Sequence, residues 1–306
     1  MIATFFTKSN PIHYILAFIY LILLFYIKGS HDFSALLPLV LLLISVFIVN
    51  FIISKNTLNK NNNFGIVAIC FFIGLFIEEL QSYDLLFSNI FLLLGLRRIY
   101  SIRTPLKINK KVFDAAFWIL MSSIFYTPIL LFFILLLITM LLYSHFNPKT
   151  ILIIVFAIIS GSSFIYFLEI INSGYFSLFE FINISLFEIT TNGIYLLSFN
   201  DNSFIDFKWS FKIVILLVFL TGFTSLYIWN GLVKTNERRR SITLVLFTTV
   251  LSLIIVLNNL NSSAFVFLLL PIIVIFTSCL ERSKSSIIRN LILSICILVP
   301  YLSVLF

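Results

Sequence analysis

Long apolar runs, separated by short polar stretches, are the feature that most constrains the fold of this chain. Runs such as 35–53 and 150–171 are long enough to cross the hydrocarbon core of a bilayer, which takes about 20 helical residues. Apolar residues make up 61% of the chain and charged residues only 10%, whereas soluble domains carry about 25% charged residues. A soluble fold of 306 residues could not bury so much apolar surface. We therefore predict an all-α, polytopic transmembrane helical bundle.

The apolar runs predict about eleven spans within a single transmembrane domain over residues 1–306. The spans are 12–27, 35–53, 64–77, 85–96, 112–126, 128–143, 150–171, 210–232, 241–257, 263–280 and 287–305. The third, fourth and fifth are short for a full crossing, which either tilting or shielding by neighbouring helices would allow. No small-residue cleavage motif follows the first run, so we interpret it as an uncleaved span rather than a signal peptide.

The distribution of charge predicts the orientation of the spans. With the N-terminus in the cytoplasm, 17 of the 20 Lys and Arg residues face the cytoplasm and nine of the twelve acids face outward. This asymmetry follows the positive-inside rule, and eleven spans then leave the C-terminus outside. One long helix over 112–143 would instead give ten spans and turn Arg238, Arg239 and Arg240 outward. We favour a break at Thr127-Pro128, because proline lacks the N–H that a continuous helix needs.

Two connections between the predicted spans are long. The cytoplasmic stretch from Arg97 to Lys111 carries six cations, which are Arg97, Arg98, Arg103, Lys107, Lys110 and Lys111. We interpret it as an anchor on anionic lipid headgroups. A docking site for an acidic partner or a lipid phosphate is the alternative. The outer segment 171–207 contains a candidate interfacial helix over 175–189.

Three acids, Glu78, Glu79 and Asp84, lie between two of the short predicted spans. They are candidates for an outer water-filled vestibule, in which neighbouring carboxylates would raise one another's pKa. A solvated loop is the alternative interpretation.

The sequence predicts neither a metal site nor a cofactor. His13, His31 and His145 lie near predicted membrane surfaces, and the three cysteines stand in apolar runs without ligand spacing. No acid is convincingly central in a span, which disfavours ion-driven transport.

Several segments resemble those of a known family. Residues 1–12, the segment Phe117-Trp118-Ile119 through Thr127-Pro128, and His145-Phe146-Asn147 resemble an uncharacterised family of polytopic inner-membrane proteins from Bacteroidota, a domain of unknown function. The resemblance extends over nearly the whole chain and implies a multi-pass protein of the bacterial inner membrane.

A weaker resemblance is to the GT-C membrane glycosyltransferases. Ala115-Ala116-Phe117-Trp118 through Thr127-Pro128 is similar to their middle helices, and Asp32 stands in the first outer loop, where their catalytic acid lies. This resemblance implies that Asp32 acts as a general base in transfer of a sugar from a polyprenyl-phosphate carrier.

The expected function is that of a non-catalytic or accessory subunit of an envelope process such as export, motility or glycan assembly. Its expected partners are the lipid bilayer and other membrane proteins of an envelope complex, and no nucleic acid. The alternative is a GT-C-like glycosyltransferase.

Overall fold

The described part of the chain is entirely helical in its regular structure. The computed structural model describes residues 2–7, 10–28, 36–59, 62–77, 80, 82–171, 224, 236–258, 262–283 and 285–305. These residues form helices and contain no strand. The all-α prediction is therefore confirmed.

The described residues form eleven α-helices, numbered here in chain order. They are α1 (Ile2–Phe6), α2 (Ile12–Lys28), α3 (Leu36–Lys55), α4 (Phe64–Leu75), α5 (Tyr83–Ser101), α6 (Ile108–Ser123), α7 (Phe132–Leu142), α8 (Pro148–Ile171), α9 (Asn236–Asn258), α10 (Leu269–Arg282) and α11 (Ser286–Leu305). Short 3-10 helices, Thr127–Leu131 and Ser262–Leu268, precede α7 and α10. Each predicted span outside 210–232 overlaps one of these helices, while the number of membrane spans stays a prediction. The predicted span 210–232 and the interfacial helix 175–189 lie outside the described residues, apart from residue 224.

Among the residues that the structure describes, four helical stretches are long and apolar enough to cross a membrane. They are Leu36–Lys55, Pro148–Phe167, Arg238–Leu257 and Ser263–Arg282, the last of which joins a 3-10 helix to α10. Four shorter apolar helices accompany them, at Ile12–Ile27, Phe64–Leu75, Thr127–Leu142 and Ser286–Tyr301. The chain thus has several helices compatible with membrane insertion.

Helix α4 forms the centre of the bundle. All 12 of its residues are buried, and it packs against α2, α3, α10 and α11. A helix that is apolar on every side is stable only when other helices surround it. At about 1.5 Å per residue it is roughly 18 Å long, which is short for a bilayer of about 30 Å. The neighbouring helices therefore shield this short segment.

The outer helices present large apolar side chains to the surroundings of the bundle. Such exposed residues recur along α2, α3, α8 and α11, with Ile12, Phe47, Phe156 and Ile287 as examples. Phe156 is 64% exposed and Ile287 is 69% exposed. Soluble monomers rarely expose apolar patches of this extent, whereas lipid tails cover them at no cost. We refer to these side chains on α2, α3, α8 and α11 as the apolar belt.

The break predicted at Thr127-Pro128 is present. Helix α6 ends at Ser123, and the 3-10 helix that follows has Pro128 within its first turn. Because proline has no N–H to donate, the helical hydrogen-bond ladder restarts there. Helix α7 then packs back against α6.

Buried polar side chains join different helices of the bundle. Ser88 on α5 and Ser122 on α6 bond reciprocally, each hydroxyl reaching the other residue's carbonyl oxygen, at 3.0 and 2.6 Å. The hydroxyls of Tyr100 and Thr248 lie 3.0 Å apart, which links α5 to α9. Inside a bilayer such bonds substitute for the water that the polar groups lack.

The C-terminal ends of α3, α5 and α10 lie together at one end of the bundle. Arg103, just beyond α5, donates to the hydroxyl of Thr57, just beyond α3, at 2.9 Å. Asn62 donates to the Glu281 carboxylate at the end of α10, at 2.7 Å. This end of the bundle holds the candidate functional site.

Candidate functional site

The basic segment 97–111 is mostly helix rather than loop, which corrects the sequence interpretation. Helix α5 continues through Arg97 and Arg98 to Ser101, and α6 begins at Ile108, so that only 102–107 connect them. An apolar run ends at the first charge, but Arg and Lys are good helix formers and extend the helix beyond it. The two helix ends therefore carry Arg97, Arg98, Lys110 and Lys111, while Arg103 and Lys107 lie in the connection.

Four of the six predicted cations line one cavity, together with a fifth that the prediction left out. The cavity has a volume of about 250 Å³ and is lined by Lys55, Asn56, Arg97, Arg98, Tyr100, Ser101, Arg103, Thr104 and Lys111. Its five cations come from α3, α5, α6 and the connection after α5. No carboxylate of the described residues lines it. We refer to it as the basic cavity.

Two of these cations are held by partners within the protein. Arg98 forms an ion pair with Asp114 of α6 at 2.9 Å. The Lys111 ammonium donates to the Ser101 carbonyl at 2.7 Å, and to the carbonyl and hydroxyl of Thr104 at 2.8 and 2.6 Å. Partial burial, and then the nearby Arg98 charge, lower the pKa of Lys111 from its usual range. Lys111 thus fastens the end of α5 to the start of α6.

The other three cations of the basic cavity have no acidic partner within the described chain. The Arg97 guanidinium lies over the ring of Phe51, 4.5 Å from its centroid. Arg103 bonds only to a neutral hydroxyl, that of Thr57. Lys55 is exposed at the end of α3. Their positive charge is therefore available to an anion.

The two remaining predicted cations, Lys107 and Lys110, lie outside the basic cavity and are exposed. Lys107 adopts a left-handed backbone conformation with φ of 52°, immediately before α6. Lys55 was missed because it is 42 residues before Arg97 in the sequence. The available signal was that Lys55 follows an apolar run closely, as Arg97 and Arg98 do.

The predicted outer acids are only partly described. Asp84 is exposed in the first turn of α5, where a carboxylate interacts favourably with the helix dipole. It lies at the opposite end of α5 from Arg97, about 20 Å away at 1.5 Å per residue. Glu78, Glu79 and Asp32 lie outside the described residues, so the vestibule and the catalytic role of Asp32 stay predictions.

A second cavity, of about 260 Å³, is mainly apolar. Its lining includes Phe6, His13, Ala17, Tyr20, Cys70 and Cys296, contributed by α1, α2, α4 and α11. His13 is buried, and its Nδ1 lies 2.7 Å from the side-chain amide of Asn63. The other ring nitrogen, Nε2, has no hydrogen-bond partner among the described residues. This cavity has no group of charges comparable to the basic cavity.

The described residues form no candidate metal centre. Within the described ranges, no three His, Cys, Asp or Glu side chains are grouped so that they could hold a metal ion. No family model, curated protein or solved structure matches this chain.

Proposed function

We propose that this chain is a multi-pass protein of the bacterial inner membrane that serves as a non-catalytic or accessory subunit of an envelope process. The process is export, motility or glycan assembly. The proposed topology has about eleven spans, a cytoplasmic N-terminus and an external C-terminus. We also propose that the resemblance to the inner-membrane family of Bacteroidota reflects a true relationship.

The apolar belt supports the membrane location. Large apolar side chains on α2, α3, α8 and α11 face outward, while α4 is buried on all sides. In water such a surface would drive aggregation, and in a bilayer it is solvated by acyl chains. The four helical stretches with the length and composition of membrane spans agree with this location.

The grouping of cations supports the orientation. Lys55 ends α3, and Arg97 and Arg98 lie near the end of α5, at the same end of the bundle. Arg282 ends α10 there as well. Asp84 lies at the other end of α5. The positive-inside rule assigns the basic end to the cytoplasm.

The observation that carries the accessory role is that buried polar side chains bond to one another between helices. Ser88, Ser122, Tyr100 and Thr248 bond one helix to another inside the bundle. Asn59 does the same at the basic end, where it contacts Thr277 and Ser278 of α10. Polar groups that bond helix to helix are typical of a structural bundle. In an enzyme, several polar groups point into one substrate cavity.

An Asp32→Asn variant separates the accessory role from the glycosyltransferase alternative. The full-length variant and the wild-type chain would each replace the native copy in cells, followed by purification in mild detergent. We expect the variant to recover the same co-purifying membrane proteins and to leave surface glycans unchanged, because Asp32 has no chemical task in a scaffold.

Transfer of sugar from a polyprenyl-phosphate donor in purified membranes supplies the second measurement. Loss of that transfer in the Asp32→Asn variant, at wild-type abundance, would establish the glycosyltransferase and overturn the accessory role.

A further inference from the structure

We propose that the basic cavity binds the phosphate group of an anionic lipid headgroup. The inference rests on the proposed membrane location but not on the accessory role. Lipid binding and partner recovery are measured separately, so either proposal can fail alone.

The charge of the cavity fits an anion with several oxygen atoms. Five cations line it, and Asp114, paired with Arg98, is the carboxylate that contacts one of them. Arg97 and Arg103 present guanidinium groups, whose planar set of donors matches two oxygens of a phosphate. Lys55 adds a third cation at the rim. A phosphate group therefore meets unpaired positive charge from α3, from α5 and from the connection after α5.

The cavity is also held in shape before any ligand enters. The three hydrogen bonds of Lys111 tie the start of α6 to Ser101 and Thr104 and so fix the connection between α5 and α6. Arg97 is positioned by the Phe51 ring, and Arg103 by the Thr57 hydroxyl. Side chains that are already ordered lose less entropy when they bind, which raises the affinity of the site.

The surroundings of the cavity indicate a lipid as the source of the phosphate. Phe51, which supports Arg97, is itself 41% exposed on the apolar belt of α3. Leu106, in the connection that bounds the cavity, is 75% exposed. An apolar surface that leads directly to a cluster of cations matches a molecule with an acyl tail and a charged headgroup. A free phosphate has no apolar part that would contact the exposed Phe51 and Leu106.

Native mass spectrometry of the full-length protein in detergent micelles provides the test. The probes are phosphatidylglycerol and phosphatidylcholine with identical acyl chains, so that only the headgroup charge differs. The site variant is Arg97→Gln with Arg103→Gln, and the control is Lys107→Gln with Lys110→Gln. Both remove two charges from the same segment, but only the first pair lies in the cavity.

The wild-type protein is expected to retain phosphatidylglycerol in preference to phosphatidylcholine. The site variant should lose about fivefold in affinity for each removed cation, and hence about 25-fold in all. The control should change less than twofold. Equal losses in the two variants would overturn the site, because the attraction would then come from the basic surface as a whole.

An Asp114→Asn variant should change the affinity for phosphatidylglycerol in the opposite direction. It therefore keeps the proposal testable even if the site variant misfolds. Removing the carboxylate frees Arg98, so phosphatidylglycerol should bind several-fold more tightly. A folded Asp114→Asn protein that binds the lipid no more tightly than wild type would contradict the proposed role of the cavity charge.

Two further results bear on the source of the phosphate. Glycerol phosphate at millimolar concentration should fail to displace the lipid, since it lacks the acyl chains that contact the apolar belt. Full displacement would overturn the lipid source and identify a soluble phosphate ester. Loss of an acidic protein from the purified site variant, with unchanged lipid binding, would overturn the lipid in favour of a protein partner.

Discussion

Replacing Gly74 with alanine is expected to lower the stability of the protein by about 1–3 kcal/mol, the usual cost of an overpacked core. A Cβ atom at this position would lie 2.7 Å from the Leu24 side chain of α2 and 2.9 Å from Cβ of Pro300 on α11. The leucine end can rotate, but Pro300 Cβ belongs to a ring fused to the backbone, so α11 itself would have to move. Helix α4, at the centre of the bundle, would then lose its fit to two neighbours.

Gly95→Ala is the matched control for this prediction. Gly95 is also helical and faces α6, but the nearest atoms to a Cβ there lie at 3.5 Å, which is ordinary contact. Thermal unfolding in detergent would be followed by size-exclusion chromatography. The unfolding midpoint should fall below that of the wild type for Gly74→Ala and stay at the wild-type value for Gly95→Ala. Equal midpoints for the two variants would contradict close packing of α2, α4 and α11.

Asn59→Ala is expected to have the other large effect, a destabilisation of about 1–3 kcal/mol from unsatisfied buried polar groups. The Asn59 amide donates to the Thr277 hydroxyl and to the Val274 carbonyl, the latter at 3.3 Å. Its carbonyl oxygen accepts from Ser278 at 2.6 Å. Alanine would leave the buried Ser278 hydroxyl without this acceptor and release the end of α3 from α10.

Ser54→Ala provides the comparison for Asn59→Ala. Ser54 lies five residues earlier, is exposed and bonds only to the Phe51 carbonyl of its own helix, at 3.1 Å. Its loss should change stability by less than about 0.5 kcal/mol. The same thermal unfolding measurement applies, and an Asn59→Ala midpoint equal to that of Ser54→Ala would show that the cluster does not stabilise the bundle.

The helices could be predicted well from the sequence, because apolar runs and proline act locally. The run 150–171 and the break at Thr127-Pro128 both correspond closely to the structure. The ends were predicted less well. Helix α5 extends to Ser101 rather than to residue 96, since hydropathy falls at Arg97 whereas helical hydrogen bonding continues. The short α1 lacks any apolar run long enough to be noticed.

The basic cavity could be predicted only in part. The density of charge near Arg97 and Lys111 is visible in the sequence, but the separation of Lys111 from Lys107 and Lys110 is not. That separation depends on where α6 begins and on which face of it points towards α5. The contribution of Lys55 depends on the packing of α3 against α5, a contact between residues distant in sequence.

The most direct test of the proposed membrane protein, with its basic end in the cytoplasm, is a set of reporter fusions. A reporter that is active only in the cytoplasm would be joined after Lys110, after Asp201 or after Arg240. The eleven-span topology predicts activity after Lys110 and Arg240 and none after Asp201, with every fusion recovered in the membrane fraction. Activity after Asp201 and none after Arg240 would contradict this topology, because the chain would then have ten spans and Arg238, Arg239 and Arg240 would face outward.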